Sequence, residues 1–284
     1  MPRLRILTWN ISGLDISDAS PPGETIATKL ERLAFGMLDH DADILCLQEF
    51  PVPSDSRMPA HQKTFESLSK LFRELGWEFV NSAPSHCGWS CILVKQPWLE
   101  RLELASTAGP AVFATFKVPR DDASGFGSSD DNAASSPPTI TVASCHLAPF
   151  KTGTSQRSAQ FQALAQAIKA SQSTRSATNS IVIAGDFNAR ENENEHFAHD
   201  GYVDAFSAYC LLNPKERSQL QFTWDSTKNK YHADGFGFTC RFDRIVTKRA
   251  KVTSLKMIGN SPCVEADSSF YLSDHFGLVA EVQL

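Results

Sequence analysis

Apolar residues in this chain fall mostly into short runs, each closed by a polar residue or a turn-forming cluster. Eight of these runs read as strands: LRILTWN (Leu4–Asn10), ADILCLQE (Ala42–Glu49), CILVK (Cys91–Lys95), AVFATFKV (Ala111–Val118), TITVASCHL (Thr139–Leu147), SIVIAGD (Ser180–Asp186), RFDRIVT (Arg241–Thr247) and FGLVAEVQL (Phe276–Leu284). Each is rich in β-branched or aromatic residues and bounded by turn chemistry. Three stretches change period. TIATKLERLAFGMLDH (Thr25–His40), HQKTFESLSKLFRELG (His61–Gly76) and TSQRSAQFQALAQAIKAS (Thr154–Ser171) space their apolar residues helically, the second stopping at a glycine and the third opening on Thr-Ser. Strands interspersed with helices predict an α/β layered fold with mixed sheets.

One segment breaks the pattern. Pro119–Pro138, PRDDASGFGSSDDNAASSPP, holds too little apolar surface to order itself and reads as a mobile surface insertion. Apolar strands flank it on both sides, so it joins neighbouring strands within one domain spanning residues 1–284.

Bulk properties narrow the function classes. The chain has 284 residues, 42% hydrophobic and 21% charged, enough for a substantial buried core. No apolar run approaches a membrane span and no signal pattern opens the chain, so residence in the nucleus or cytoplasm, away from membranes, is expected. The seven cysteines are odd in number and form no CxxC pair, which reads as small buried hydrophobes and not as a zinc site or disulfide framework. A net charge of -5 argues against a protein that coats nucleic acid, since neutralising many phosphates takes a broad basic surface. A local basic groove remains compatible with it. RFDRIVTKRAK (Arg241–Lys251) is the densest cationic stretch, part solvated surface and part groove wall.

The candidate chemistry shares one placement, at or beside a strand end. Asn10 closes the first run, Glu49 the second, His146 lies near the end of the fifth, and Asp186 and Asn188 follow the sixth in IVIAGDFN. Asp243 lies in RFDRI, and Asp274 with His275 directly precedes the last run. Singly these have ordinary readings: a turn for Asp186 and Asn188, a solvated carboxylate for Glu49, a core histidine for His146 or His275, a surface ion pair for Asp243. Together they describe strand ends converging on one cleft. Carboxylates and amide oxygens suit a hard divalent ion such as magnesium, a histidine–aspartate pair carries charge, and Asn and Arg donate to phosphate oxygens. That set fits metal-assisted phosphodiester hydrolysis. His40, His61, His196, His199 and His232 read as surface residues.

The ordered motifs TWN, LQE, HL, GDFN, RFDRI and SDH resemble the endonuclease/exonuclease/phosphatase superfamily of DNase I-like phosphodiesterases, from Leu4 to Leu284. Within it TWNISGLD, GDFNAR, FTWD and RFDRI are most similar to the tyrosyl-DNA phosphodiesterase branch. The resemblance implies a four-layer α/β sandwich of two packed, mixed or antiparallel sheets flanked by helices. It implies magnesium, with manganese as a substitute, held by Glu49 with Asn10 beside it and Asp274 directly or through water. Asp186 then orients and deprotonates the attacking water, Asn188 holds it, His275 polarised by Asp243 donates to the phosphate, and His146 contacts the same phosphate. Arg190, Trp224 and Arg157 match groove positions that meet the substrate. The implied partner is DNA carrying a 5′-linked tyrosine or peptide, acted on by a monomer during repair of topoisomerase 2 damage. Alternatives on the same core are an abasic-site endonuclease, an exonuclease or a deadenylase; from another class, an inactive binding module. The chain departs from the branch at HLAPF, where an acidic residue ordinarily follows HL.

Overall fold

The computed structural model describes residues 2–18, 20–51, 59–119, 137–172, 179–232, 237–265 and 268–284. Most of the Pro119–Pro138 insertion, residues 120–136, lies outside them.

Two six-stranded sheets form the middle of the fold. The first has the order β13 (Lys251–Ile258), β16 (Gly277–Gln283), β1 (Arg3–Asn10), β2 (Ile44–Phe50), β4 (Trp89–Lys95), β3 (Trp77–Pro84). The second runs β5 (Leu102–Ala108), β6 (Ala111–Lys117), β7 (Thr139–His146), β8 (Ser180–Asp186), β12 (Asp243–Lys248), β9 (Val203–Asp204). Two ribbons pair β10 (Trp224–Asp225) with β11 (Thr239–Cys240) and β14 (Cys263–Glu265) with β15 (Ser268–Phe270). Within the large sheets β1–β2 and β7–β8 are parallel and the other pairings antiparallel.

The alternation of side chains along each strand builds the layers. From β1, Leu4 and Ile6 point between the sheets and meet Val182 and Ala184 of β8, while Leu7 and Trp9 point outward. Helices α1 (Ile26–Leu38) and α2 (Pro59–Glu74) cover that outer face with Leu30, Leu33, Met37, Leu68 and Phe72. On the far side Ile181 and Ile183 point out against Phe161, Leu164 and Ile168 of α3 (Thr154–Gln172). Burying each such side chain contributes roughly 1.5–3 kcal/mol. The result is helix, sheet, sheet, helix, the expected four-layer sandwich. Two shorter helices, α4 (Ala205–Leu212) and α5 (Arg217–Leu220), add Phe206, Cys210 and Leu220 to the inter-sheet core.

Helix α1 starts where the chain carries a capping box. Thr25 accepts from the Thr28 N–H at 3.2 Å, while Thr28 Oγ1 accepts from the Thr25 N–H at 2.9 Å.

Candidate active site

Strand polarity gathers the polar residues at one edge. Strands β1, β2, β7 and β8 finish there and β12 starts there, with Asp274 and His275 just ahead of β16. Register in the second sheet sets His146 opposite Asp186, and Asp186 opposite Asp243. In the first sheet Asn10 pairs with Gln48, so Glu49 falls one residue beyond. Asn10 then ties the sheets together, its Nδ2 donating to Glu49 Oε1 at 3.1 Å and to Asp186 Oδ2 at 3.2 Å.

Two of the gathered residues sit in left-handed backbone, Glu49 at φ 55° and Asn188 at φ 51°. Such conformations are uncommon for side-chain-bearing residues and cost on the order of 1–3 kcal/mol each. Close neighbours hold both in place. A Cβ on Gly88, in the turn between β3 and β4, would lie 2.8 Å from the Glu49 Cα, so that turn presses directly on the Glu49 backbone. The Asn188 N–H donates to Asp186 Oδ1 at 2.8 Å, and its Nδ2 to the Leu147 carbonyl at 3.1 Å. The turn that Gly-Asp-Phe-Asn encodes is therefore real, and it is also what orients Asp186. Gly185 is required by packing: a Cβ there would meet the Cys145 carbonyl at 2.0 Å.

The two buried histidines of the centre are shifted in opposite directions. His275 Nδ1 lies 2.8 Å from Asp243 Oδ2, and its Nε2 lies 3.7 Å from Asp186 Oδ2. Burial works against its charge, yet Asp243 and then Asp186 hold its pKa well above the ordinary imidazole value. His146 Nε2 is 3.5 Å from Asp186 Oδ2 and its Nδ1 3.2 Å from Ser85 Oγ. Burial lowers its pKa, which favours the neutral ring. The surroundings thus favour the protonated ring in the first and the neutral ring in the second.

A divalent cation fits on the Glu49 side. The Glu49 carboxyl is pushed up to about 7 by burial and by the charge of Asp274, a deficit of positive charge that a hard cation would relieve. Asp274 is held below the usual carboxylate range, against burial, by a hydrogen bond from His232 and by the charge of His275. Among the described residues, ligand atoms of Asp186, Asp243 and His275 also lie within 4.8 Å of one another. There Asp243 holds Nδ1 of the imidazole and leaves Nε2 directed at Asp186. Asn10 stands beside Glu49 as expected. It turns its nitrogen to the carboxylates, while its oxygen accepts from the Ser12 N–H at 3.1 Å. It orients both acids, and its oxygen keeps a second lone pair beyond the Ser12 bond.

The groove candidates separate. Trp224 packs edge-on to His275 at 5.0 Å and stacks on Phe238 at 5.9 Å. The Arg190 guanidinium lies 6.0 Å from the Phe242 ring, which contacts both Trp224 and His275. Both therefore flank the centre. Arg157 does not: it is 0% exposed and donates from Nε and Nη2 to Glu193 at 2.8 and 2.7 Å. Its helix turns it inward, which corrects its assignment to the substrate groove.

Three residues near the centre escape a reading of the sequence. His232, taken for surface, approaches Asp274 Oδ2 at 3.4 Å. Ser85 reaches His146 from a turn with no motif. Lys29 is buried below the Asn10–Asp15 loop, donating to the Asp15 carbonyl and to Tyr231 Oη at 2.8 Å each and also to the Ser12 carbonyl. A signal for Lys29 exists, because it stands four residues before Leu33 and eight before Met37, on the buried stripe of α1. A larger cavity, about 610 Å³, lies at the opposite end of β8 near Tyr202 and Lys248 and holds none of these residues.

This fold and strand-end centre define a phosphoester hydrolase scaffold. The model of the Endonuclease/Exonuclease/phosphatase family matches residues 7–275, and the chain belongs to that family. A 5′-tyrosyl-DNA phosphodiesterase of Caenorhabditis briggsae is 25% identical over 244 residues, 85% of this chain and 59% of that protein. The chain thus spans about three-fifths of that relative's length. Truncated Caenorhabditis elegans TDP2 superposes with a TM-score of 0.67 at 19% identity, covering 99% of this chain and 98% of that one. D. rerio TDP2 complexed with single strand DNA product gives 0.67 and 19%, covering 99% of each. At that identity the two structures speak to the fold. Among the described residues no helix is long and apolar enough to cross a membrane.

Proposed function

We propose that this protein is a magnesium-dependent phosphodiesterase that hydrolyses 5′-phosphotyrosyl linkages on DNA, in repair of topoisomerase 2 damage. Residues 1–284 form its single catalytic domain, working as a monomer in the nucleus or cytoplasm. Glu49 and Asp274 hold the cation, with Asn10 beside Glu49 and manganese able to substitute. When bound, the ion supplies positive charge against the phosphate oxygens and the leaving oxygen. Asp186 accepts a proton from water held by Asn188, and that water adds to phosphorus as the bond to the tyrosyl oxygen breaks. His275, charged and anchored by Asp243, donates to the phosphate as negative charge builds, and neutral His146 contacts the same group. Arg190 and Trp224 meet the nucleic acid.

The observation that carries the reading is the geometry around Asp186: His275 and His146 approach the same carboxylate oxygen at 3.7 and 3.5 Å, His275 backed by the buried Asp243 carboxylate and His146 by the Ser85 hydroxyl. The choice of substrate leans on the likeness to 5′-tyrosyl-DNA phosphodiesterases. A panel of oligonucleotides with 5′-tyrosyl, 3′-tyrosyl, abasic, poly(A) and plain ends, with and without magnesium, tests it. The 5′-tyrosyl end should be cleaved fastest and only with magnesium. Preference for another end would move the protein to another branch of the family.

A further inference from the structure

Beside His146 the surface opens into a groove of about 320 Å³, near the low end of the range of roughly 300–1,000 Å³ for small-ligand pockets. One wall is the β3–β4 turn, with Ser85 and His86. The other is the segment after β7, backed by Gln156 and Gln160 of α3. Phe150 stands at its mouth, 70% exposed, its ring 6.0 Å from the His86 imidazole and edge to face with it. The groove adjoins the catalytic centre, since His146 lines it while contacting Asp186.

Phe150 is fixed in that exposed position. Its backbone, at φ 67° and ψ 159°, occupies a region that residues other than glycine avoid. Arg157 Nη1 donates to the Phe150 carbonyl at 2.7 Å and to the Ala148 carbonyl at 2.8 Å, and the buried Glu193 pair fixes Arg157 in turn. A buried ion pair thus keeps an aromatic ring facing water, where it has no core to join.

Charge decides what the groove receives. Among the described residues, no Lys, Arg, Asp or Glu lines it. On the other flank of the centre Arg190 stands beside Phe242 and Trp224, and exposed Lys230 follows β10. A nucleic-acid strand is a polyanion that seeks the cationic flank. A neutral groove with an aromatic edge, two glutamine amides and hydroxyls suits an aromatic side chain carried on a peptide.

We propose that this groove seats the tyrosine of the leaving group with its attached peptide, and that Phe150 sets specificity for it by packing on the phenol ring. The proposal rests on the 5′-phosphotyrosyl reading. Its test compares wild type, Phe150→Ala and Phe150→Tyr on an oligonucleotide bearing a 5′-phosphotyrosyl peptide. The affinity of each variant for the 5′-phosphate product oligonucleotide is measured in parallel. Phe150→Ala should raise KM about 3- to 10-fold, the size of one aromatic pair, with kcat within about twofold and product affinity unchanged, and Phe150→Tyr should restore KM. An unchanged KM, or product affinity falling in step with it, would overturn the assignment while leaving the functional reading in place. Absence of wild-type cleavage of the tyrosyl substrate would overturn both.

Discussion

His275 Nδ1 and Asp243 Oδ2 lie 2.8 Å apart, both side chains buried, and this contact leaves Nε2 as the ring nitrogen facing Asp186. The carboxylate therefore sets both the orientation and the charge of the imidazole. His275→Ala should lower kcat of the folded fraction by about two to three orders of magnitude, the usual loss for a charge-stabilising donor, and should also lower Tm, because buried Asp243 loses its cation. In Asp243→Asn the imidazole loses the charge that holds its proton. Since the protonated form is the active one, the alkaline limb of the kcat–pH profile should move to lower pH. A limb that stays in place would show that Asp243 does not govern the proton.

Glu49 gives a second pH dependence. With its carboxyl pushed up to about 7 in the ion-free protein, cation binding must displace a proton over part of the neutral range. Magnesium affinity should fall up to about tenfold per unit as pH drops below about 7 and level off above about 8. Calorimetric titration at pH 6, 7 and 8 reads this directly. Glu49→Gln should bind weakly and with no such slope.

Lys29 predicts a stability effect that has no catalytic component. Burial lowers its pKa from 10.5 to about 8, so between those values the unfolded chain holds the proton more tightly than the folded one. Stability contributed by this site should therefore rise with pH from about 8 to 10.5, by an amount of the order of 3 kcal/mol, and show its full cost below 8. Urea denaturation of wild type and Lys29→Met across that window isolates the term. Parallel curves would contradict it.

Arg157 acts in the core and not in the groove. Arg157→Ala leaves Glu193 buried without its cation, and breaking such a pair costs about 3–5 kcal/mol. Tm should drop sharply while the folded fraction binds product DNA as wild type does. Loss of DNA affinity with an unchanged Tm would return Arg157 to the groove.

How much of this could be read from the chain follows a physical line. The eight strands legible as apolar runs, β1, β2, β4, β6, β7, β8, β12 and β16, are the eight interior strands of the two sheets. Within these sheets the strands that escaped, β3, β5, β9 and β13, are the four edges, and the short ribbon strands β10, β11, β14 and β15 escaped with them. An interior strand between a second sheet and a helix layer is apolar on both faces, as in β8, whereas β5 and β13 keep exposed polar positions that blur the pattern. The same holds for the centre. Residues ending interior strands, such as Asn10, Glu49 and Asp186, stand out because a polar group closing a greasy run is conspicuous. Ser85 and His232 arrive from turns whose polarity is ordinary. Arg157 was misplaced because helical position does not reveal that a buried glutamate waits on the inner face.

The central claim is that water, activated at Asp186, attacks phosphorus in a 5′-phosphotyrosyl linkage. Cleavage of a 5′-phosphotyrosyl oligonucleotide in ¹⁸O-labelled water with magnesium, read by mass spectrometry of both products, tests it most directly. The account predicts one labelled oxygen in the oligonucleotide 5′-phosphate and none in the released tyrosine, with the signal lost in Asp186→Asn. Label in the tyrosine, an unlabelled phosphate, or full labelling by Asp186→Asn would contradict it.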